Sequence, residues 1–155
     1  MRRLRKARPE VSLSSDFIVG FPGESAADFE ATLRLARELQ FDGSFSFLYS
    51  PRPGTPAAEL EDPVPMPEKE QRLQRLQALL EAQAGAFSAA MVGTVQRALV
   101  VGPSKRDPAE HAARTANNRT VNFSGDAALV HRFANLRITE ARHHSLRGEL
   151  VDAAR

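Results

Sequence analysis

Ser15-Asp16-Phe17-Ile18-Val19-Gly20-Phe21-Pro22-Gly23-Glu24 is the stretch from which the rest of the chain can be read. Asp16 to Val19 is a short, largely apolar run ending in Gly20, and Ser25 then opens a helical pattern, so the segment predicts strand, tight turn, helix. Pro22 fixes φ and Gly23 tolerates positive φ, which suits a turn centred on the pair. Gly20 lacks a side chain at the carboxyl end of the strand, where α/β sheets place their ligands. Two readings follow: a flat ligand lies against that backbone, or the strand is simply buried and followed by an ordinary Pro-Gly turn.

Around this segment the pattern predicts one βαβ unit. Arg2 to Arg8 reads as the end of a helix stopped by Pro9. Ser25 is an N-cap with Asp28 three residues on, and Phe29, Leu33 and Ala36 follow at helical spacing to about Gln40. After Asp42-Gly43, the segment Ser44 to Ser50 alternates Phe45, Phe47 and Tyr49 with smaller residues, a strand pattern that makes a parallel, right-handed crossover unit. A single unit cannot close a sheet, so its edges need cover. Pro51-Arg52-Pro53-Gly54-Thr55-Pro56 is either a loop over a ligand site or a rigid connector, since three prolines lack the amide donor. From Pro67 a long helix carries Leu73, Leu76, Leu80, Ala84, Phe87 and Met91 on one stripe, a core-packing pattern ending at Gly93.

Beyond Gly93 the character changes to short β runs. Thr94 to Val101, a hairpin from Arg114 to Phe123 about Asn117-Asn118, Leu136 to Ala141 and Leu146 to Val151 predict a small antiparallel barrel of the oligonucleotide-binding kind. The expected organisation is therefore residues 1–66, a connecting helix at 67–91 and a β-domain at 92–153.

Composition sets limits. The chain has 155 residues, 26% charged and 42% hydrophobic, ordinary for a soluble globular protein. No apolar run reaches the roughly 18 residues of a membrane span, and the basic start leads into no signal core, so the expected address is the cytoplasm. There is no cysteine, hence no thiolate for an iron–sulfur cluster, no disulfide and no thiol nucleophile. His111, His131, His143 and His144 show no metal-ligand spacing and are expected on the solvated surface, with His143 and His144 on opposite sides of a strand.

Charge is divided unevenly. Met1 to Met91 has 11 Lys plus Arg against 13 Asp plus Glu, whereas Val92 to Arg155 has 10 against 6, a net of −2 and then +4. The second part therefore suits an anionic partner such as nucleic acid, or presents a solvated basic face. Arg97, Lys105, Arg106, Arg114, Arg119, Arg132, Arg137, Arg142 and Arg147 are its phosphate-binding candidates, because the planar guanidinium fork matches phosphate oxygens. Phe123 and Phe133 are the only aromatic residues after Met91, and both are expected in the core. Such a barrel would hold RNA by backbone charge and shape rather than by base stacking. Asn117, Asn118 and Asn122 either add hydrogen bonds to sugars and base edges or simply form turns.

Two resemblances sharpen these expectations. Asp16-Phe17-Ile18-Val19-Gly20-Phe21-Pro22-Gly23-Glu24 is similar to the fifth-strand motif of radical S-adenosylmethionine (SAM) enzymes, in the form found in methylthiotransferases. Val92-Gly93-Thr94 into Val95 to Val100, Arg114-Thr115-Ala116-Asn117-Asn118-Arg119-Thr120-Val121-Asn122-Phe123, Ile138-Thr139-Glu140-Ala141 and Ser145-Leu146-Arg147-Gly148 resemble the TRAM domain, the RNA-binding barrel that ends those enzymes. The Arg-Thr-x-Asn-Asn-Arg-x-Val-Asn-Phe form resembles the tRNA-modifying, MiaB-type branch, which methylthiolates isopentenyladenosine beside the anticodon; the branch acting on a ribosomal protein carries an acidic stretch there. Arg3 to Pro9, Tyr49 to Ala57 and Lys69-Glu70-Gln71-Arg72-Leu73 fit the same type, so the resemblance covers nearly the whole chain in family order.

The resemblance implies a fold that is α/β plus all-β: the carboxyl-terminal part of a radical SAM (partial TIM-type) barrel, then an OB-like TRAM barrel. It implies a cofactor wall at Ile18, Gly20, Phe21, Phe47 and Ser50, and RNA contacts from Arg97, Lys105, Arg106, Arg114, Asn117, Asn118, Arg119 and Arg147. The implied cofactors of the full enzyme are SAM and two 4Fe–4S clusters, and the implied partner is the tRNA anticodon stem-loop, bound by a monomer. The family's cluster-binding cysteines are missing, so this chain alone is expected to be catalytically inactive. The other readings are a stand-alone RNA-binding module and an enzyme acting on a ribosomal protein. One departure is Ala113 in place of the family's usual Gly, which would alter the local loop if the backbone there were left-handed.

Overall fold

The computed structural model describes residues 1–9 and 11–153. The chain falls into two compact units, residues 1–84 and a second unit beginning at Gly85.

In the first unit, α1 (Arg2–Ala7) precedes β1 (Ser14–Val19), α2 (Ala26–Leu39) and β2 (Gly43–Leu48). Pro22 and Gly23 make the expected turn: Gly23 has φ +82° and the Glu24 amide donates to the Phe21 carbonyl at 2.9 Å. Ser25 caps α2 through a complete capping box with Asp28. Gln40 ends the helix in a left-handed conformation, φ 50°. β1 and β2 pair in parallel, Ser14 opposite Gly43 and Val19 opposite Leu48. Among the described residues this sheet has only these two strands.

One face of the sheet packs on the helices. Val19, Phe29, Leu33, Ala36 and Phe41 form the core with Leu76 and Leu80 of α3 (Met66–Ala90), and Phe17 meets Phe41 edge to face at 5.3 Å. The other face leaves Ile18, Phe45 and Phe47 more than half exposed.

α3 belongs to the first unit as far as Ala84 and to the second from Gly85. Its apolar stripe is shorter than the spacing predicted: Leu76 and Leu80 are buried, while Leu73, Ala84 and Phe87 are half-buried. Lys69 and Arg72 extend it as buried cations. Apolar periodicity could not reveal that, because a long stem buries its methylenes only when a partner receives the charge.

The second unit is a closed barrel of β3 (Val95–Pro103), β4 (His111–Thr115), β5 (Thr120–Phe123), β6 (Phe133–Ala141) and β7 (Leu146–Ala153), in the order β3-β4-β5-β7-β6. All ladders are antiparallel except β5–β7, where Val121 faces Leu146 and Asn122 faces Arg147. Ala98, Val100, Ala113, Val121, Phe123, Ala134, Leu136, Ile138 and Leu146 fill the interior, with Met91 against them. Small residues at Ala98, Ala113 and Ala134 leave room for Phe123, as a narrow barrel requires.

Several expectations are corrected here. Ala113 lies within β4, fully buried and facing the core, so its Cβ is an asset to packing and not an obstacle to a loop. His111 is buried, 9% exposed, with its ring against Phe123. His143 and His144 lie in the turn after β6, rings edge to face at 4.0 Å, rather than on opposite sides of a strand. Phe123 is core as expected, but Phe133 is 38% exposed, because it opens β6 on the outward phase of the strand.

Candidate functional site

The carboxyl ends of β1 and β2 bring one set of expected residues together. Ile18 and Phe47 are register partners on the exposed face, with Phe45 stacked beside Phe47 at 6.5 Å. Phe21 follows at the end of β1, half exposed and edge-on to Tyr49 at 5.1 Å, and Ser50 follows β2 on the surface. Ile18 and Phe47 thus form an apolar wall fit for a flat ring. A groove of about 380 Å³ runs along β2, bordered by Phe45, Phe47, Gln77, Leu80 and Ala84.

Gly20 is bare for a different reason from the one its position suggests. It has φ +74°, and a Cβ there would stand 2.7 Å from the Lys69 side-chain methylenes. The Lys69 stem therefore lies across it, its ammonium paired with Asp62. Beside it the Gly20 amide donates to Glu24 Oε2 at 2.9 Å, and Arg72 Nη1 donates to the same oxygen at 2.9 Å and to the Glu24 carbonyl at 2.8 Å. Arg72 Nη2 reaches Glu68 at 2.5 Å. Burial alone would lower the Arg72 pKa, but the hydrogen bonds to Glu24 and Glu68 outweigh it and hold the guanidinium charged. The turn after β1 is thereby fixed to α3 by a buried, partnered cation.

The barrel carries the second set. Arg97, Lys105, Arg106, Arg114 and Asn118 are exposed. Arg114 Nη1 donates to the Asn118 carbonyl at 3.0 Å, across the β4–β5 turn in which Asn118 has φ +63°. Asn117 is committed inward: its Oδ1 accepts from Thr115 Oγ1 at 2.6 Å and its Nδ2 approaches Met91 Sδ at 3.5 Å. Arg119 is half-buried, its Nε donating to Ser88 Oγ at 2.9 Å. Arg147 pairs with Glu110, and Arg142 with Glu140 at 2.9 Å, which raises the one pKa and lowers the other. Of the eight expected RNA contacts, Arg114, Asn117, Arg119 and Arg147 thus have side chains hydrogen-bonded or paired within the protein.

Two features of this surface were not anticipated. The strands β3, β4 and β5 contain no carboxylate, whereas β6 and β7 contain Glu140, Glu149 and Asp152; strand boundaries are needed before that partition can be seen. At the edge of that acid-free wall, Leu99 on β3 sits between Arg114 on β4 and Phe133 on β6. Arg97 Cζ lies 3.6 Å from the Phe133 ring centroid, a close cation–π contact.

Among the described residues no group of three or more His, Cys, Asp or Glu side chains could hold a metal ion, and the chain has no cysteine to hold a cluster. No described helix is long and apolar enough to cross a membrane.

The TRAM domain family matches residues 89–151. The chain is 60% identical over 151 residues to a tRNA-2-methylthio-N(6)-dimethylallyladenosine synthase of Methylobacillus flagellatus, an alignment covering 97% of the chain and 34% of that relative. To the protein of the same name from Nitrosospira multiformis it is 60% identical over 153 residues, 99% of the chain and 32% of the relative. To that of Coxiella burnetii it is 57% identical over 150 residues, 97% of the chain and 34% of the relative. The chain spans about a third of the length of the curated relatives it matches.

Proposed function

We propose that this chain, matched by the TRAM domain family over residues 89–151 and 60% identical to a stretch covering 34% of a tRNA-2-methylthio-N(6)-dimethylallyladenosine synthase, is the tRNA-gripping part of a tRNA methylthiotransferase. The reaction is addition of a 2-methylthio group to isopentenyladenosine beside the anticodon. The carboxylate-free wall of β3, β4 and β5 is the observation that carries the reading. It offers Arg97 and Arg114, with Lys105, Arg106 and Asn118 beside them, to a polyanion. The reading in which the chain is a stand-alone RNA-binding module uses the same wall.

In the same proposal the first unit is part of a radical SAM barrel wall. Ile18 and Phe47 would flank the cofactor's adenine, with Gly20, Phe21 and Ser50 at the strand ends. SAM, with clusters held by cysteines that this chain does not have, would supply the radical and sulfur chemistry of the full enzyme. What these residues do themselves is orient the cofactor by apolar contact and keep water from that side; Glu24 and Arg72 fix the backbone at Gly20. The chain alone is predicted to cleave no SAM. A monomer working in the cytoplasm fits this reading.

The test is a titration of an anticodon stem-loop RNA at several salt concentrations. Each phosphate contact should lower log K by about 0.7 to 0.9 per decade of salt, so four to five contacts give a slope of roughly −3 to −4.5. Arg114→Ala should reduce the slope by about 1. A flat salt response would remove the RNA reading.

A further inference from the structure

The outer wall of the barrel holds something that phosphate contact does not use. Phe133 is 38% exposed, at a position where β6 begins beyond the last rung of its ladder with β7, Ala134 to Ala153. Among the described residues its register partner is Leu99 on β3. Leu99 is itself half-buried and faces outward between Phe133 and Arg114, so the row Arg114–Leu99–Phe133 crosses three strands, about 10 Å. Over the ring of Phe133 lies the guanidinium of Arg97, 3.6 Å from the centroid. The nearest ladder neighbour of Arg97 is Asn135, whose amide donates to Asp152 at 2.6 Å; that carboxylate is thus already engaged.

An exposed phenylalanine costs solvation with no return in the core, and a guanidinium stacked on it loses rotamer freedom. The pair nevertheless has a use on a positive sheet wall. A guanidinium held flat by an aromatic ring presents its outer plane and its free N–H edge together, the plane to a base and the edge to a phosphate. Stacking of this kind tolerates any base, because every base has a π-face, and it requires an unpaired one. The lack of carboxylates on β3 and β4, which carry Arg97 and Arg114, argues for a polyanion rather than a protein.

The geometry points to a base-stacking platform at Arg97 and Phe133, bordered by Leu99, that takes one unpaired nucleotide of a single-stranded RNA segment. Phe133 is the positioning residue and Arg97 the one that touches RNA. This rests on the RNA-binding reading above and deepens it, since phosphate grip alone would select no unpaired base.

The experiment uses the whole 155-residue chain and fluorescence anisotropy with two labelled RNA hairpins of equal charge, one with an intact single-stranded loop and one with abasic loop nucleotides. Wild type should bind the intact loop more tightly. Phe133→Ala should weaken intact-loop binding by about 5- to 30-fold, with the salt slope unchanged and abasic binding unaffected. Phe133→Trp should retain the preference; Phe133→Leu, which keeps apolar bulk, should lose it. Arg97→Lys should keep the slope and lose the preference. Equal binding by wild type and Phe133→Ala, or equal losses on both hairpins, would overturn the platform while leaving RNA binding intact. Failure of wild type to bind either hairpin at low salt would overturn the RNA reading and the platform with it.

Discussion

Gly20 has two separate reasons to be glycine, and they can be pulled apart. Its φ of +74° is strained for any L side chain, and the Lys69 methylenes stand 2.7 Å from where a Cβ would be. Gly20→Ala should therefore destabilise the first unit by about 1 to 3 kcal/mol. Adding Lys69→Ala should return only the steric share, because the backbone strain remains. Urea midpoints of the single and double variants measure the split. The turn itself was legible from Pro22 and Gly23, whose backbone preferences are intrinsic to their side chains. The contact with Lys69 was not, since nothing local says which distant side chain will cross a glycine. Phe133 was misread for a related reason: alternation along β6 gives two faces, and an aromatic residue suggests the inner one, but the strand's phase is set by Ala134, Leu136 and Ile138.

At the scale of the element, α2 shows how far a local pattern can carry. Ser25 and Asp28 were read as a capping box, and both reciprocal hydrogen bonds are present, Asp28 N–H to Ser25 Oγ at 3.2 Å and Ser25 N–H to Asp28 Oδ2 at 3.0 Å. Ser25→Ala should cost about 1 kcal/mol, read from chemical denaturation. The hydrogen bonds from the Ser25 side chain and backbone hold the Asp28 carboxyl below its ordinary value. A depressed folded pKa contributes stability that is present above the unfolded pKa and lost as pH falls through the folded one. The stability gap between wild type and Asp28→Asn should thus be full at neutral pH and narrow as pH falls below the ordinary Asp value of about 3.9, followed by paired urea melts. α3 was less legible. Its length follows from composition, but Arg72 and Lys69 are buried on it only because Glu24, Glu68 and Asp62 receive their charges.

For the whole molecule, the β-domain was readable because small barrels repeat short alternating runs between turn residues, and the Asn118 turn fell where its side chain permits a left-handed backbone. What sequence reasoning could not supply was the order β3-β4-β5-β7-β6, which rests on ladders between distant strands. The two units have separate cores. Leu76→Ala in the first and Leu136→Ala in the second, both fully buried, should each cost about 2 to 5 kcal/mol. Hydrogen exchange should then accelerate chiefly in the unit that carries the change, Phe29 to Ala36 in one case and Val95 to Val101 in the other.

A barrel whose strand-borne carboxylates all lie on β6 and β7 is also a compass. At physiological salt its field reaches about 8 Å from the surface, far enough to rotate an approaching strand of phosphates before any atom touches. In the proposed RNA complex, a strand arriving on the β3–β4 side would meet the Arg97 and Arg114 guanidinium groups already turned toward them. The selection of a docking pose would then begin during diffusion, and it would blur as added salt shortens that reach.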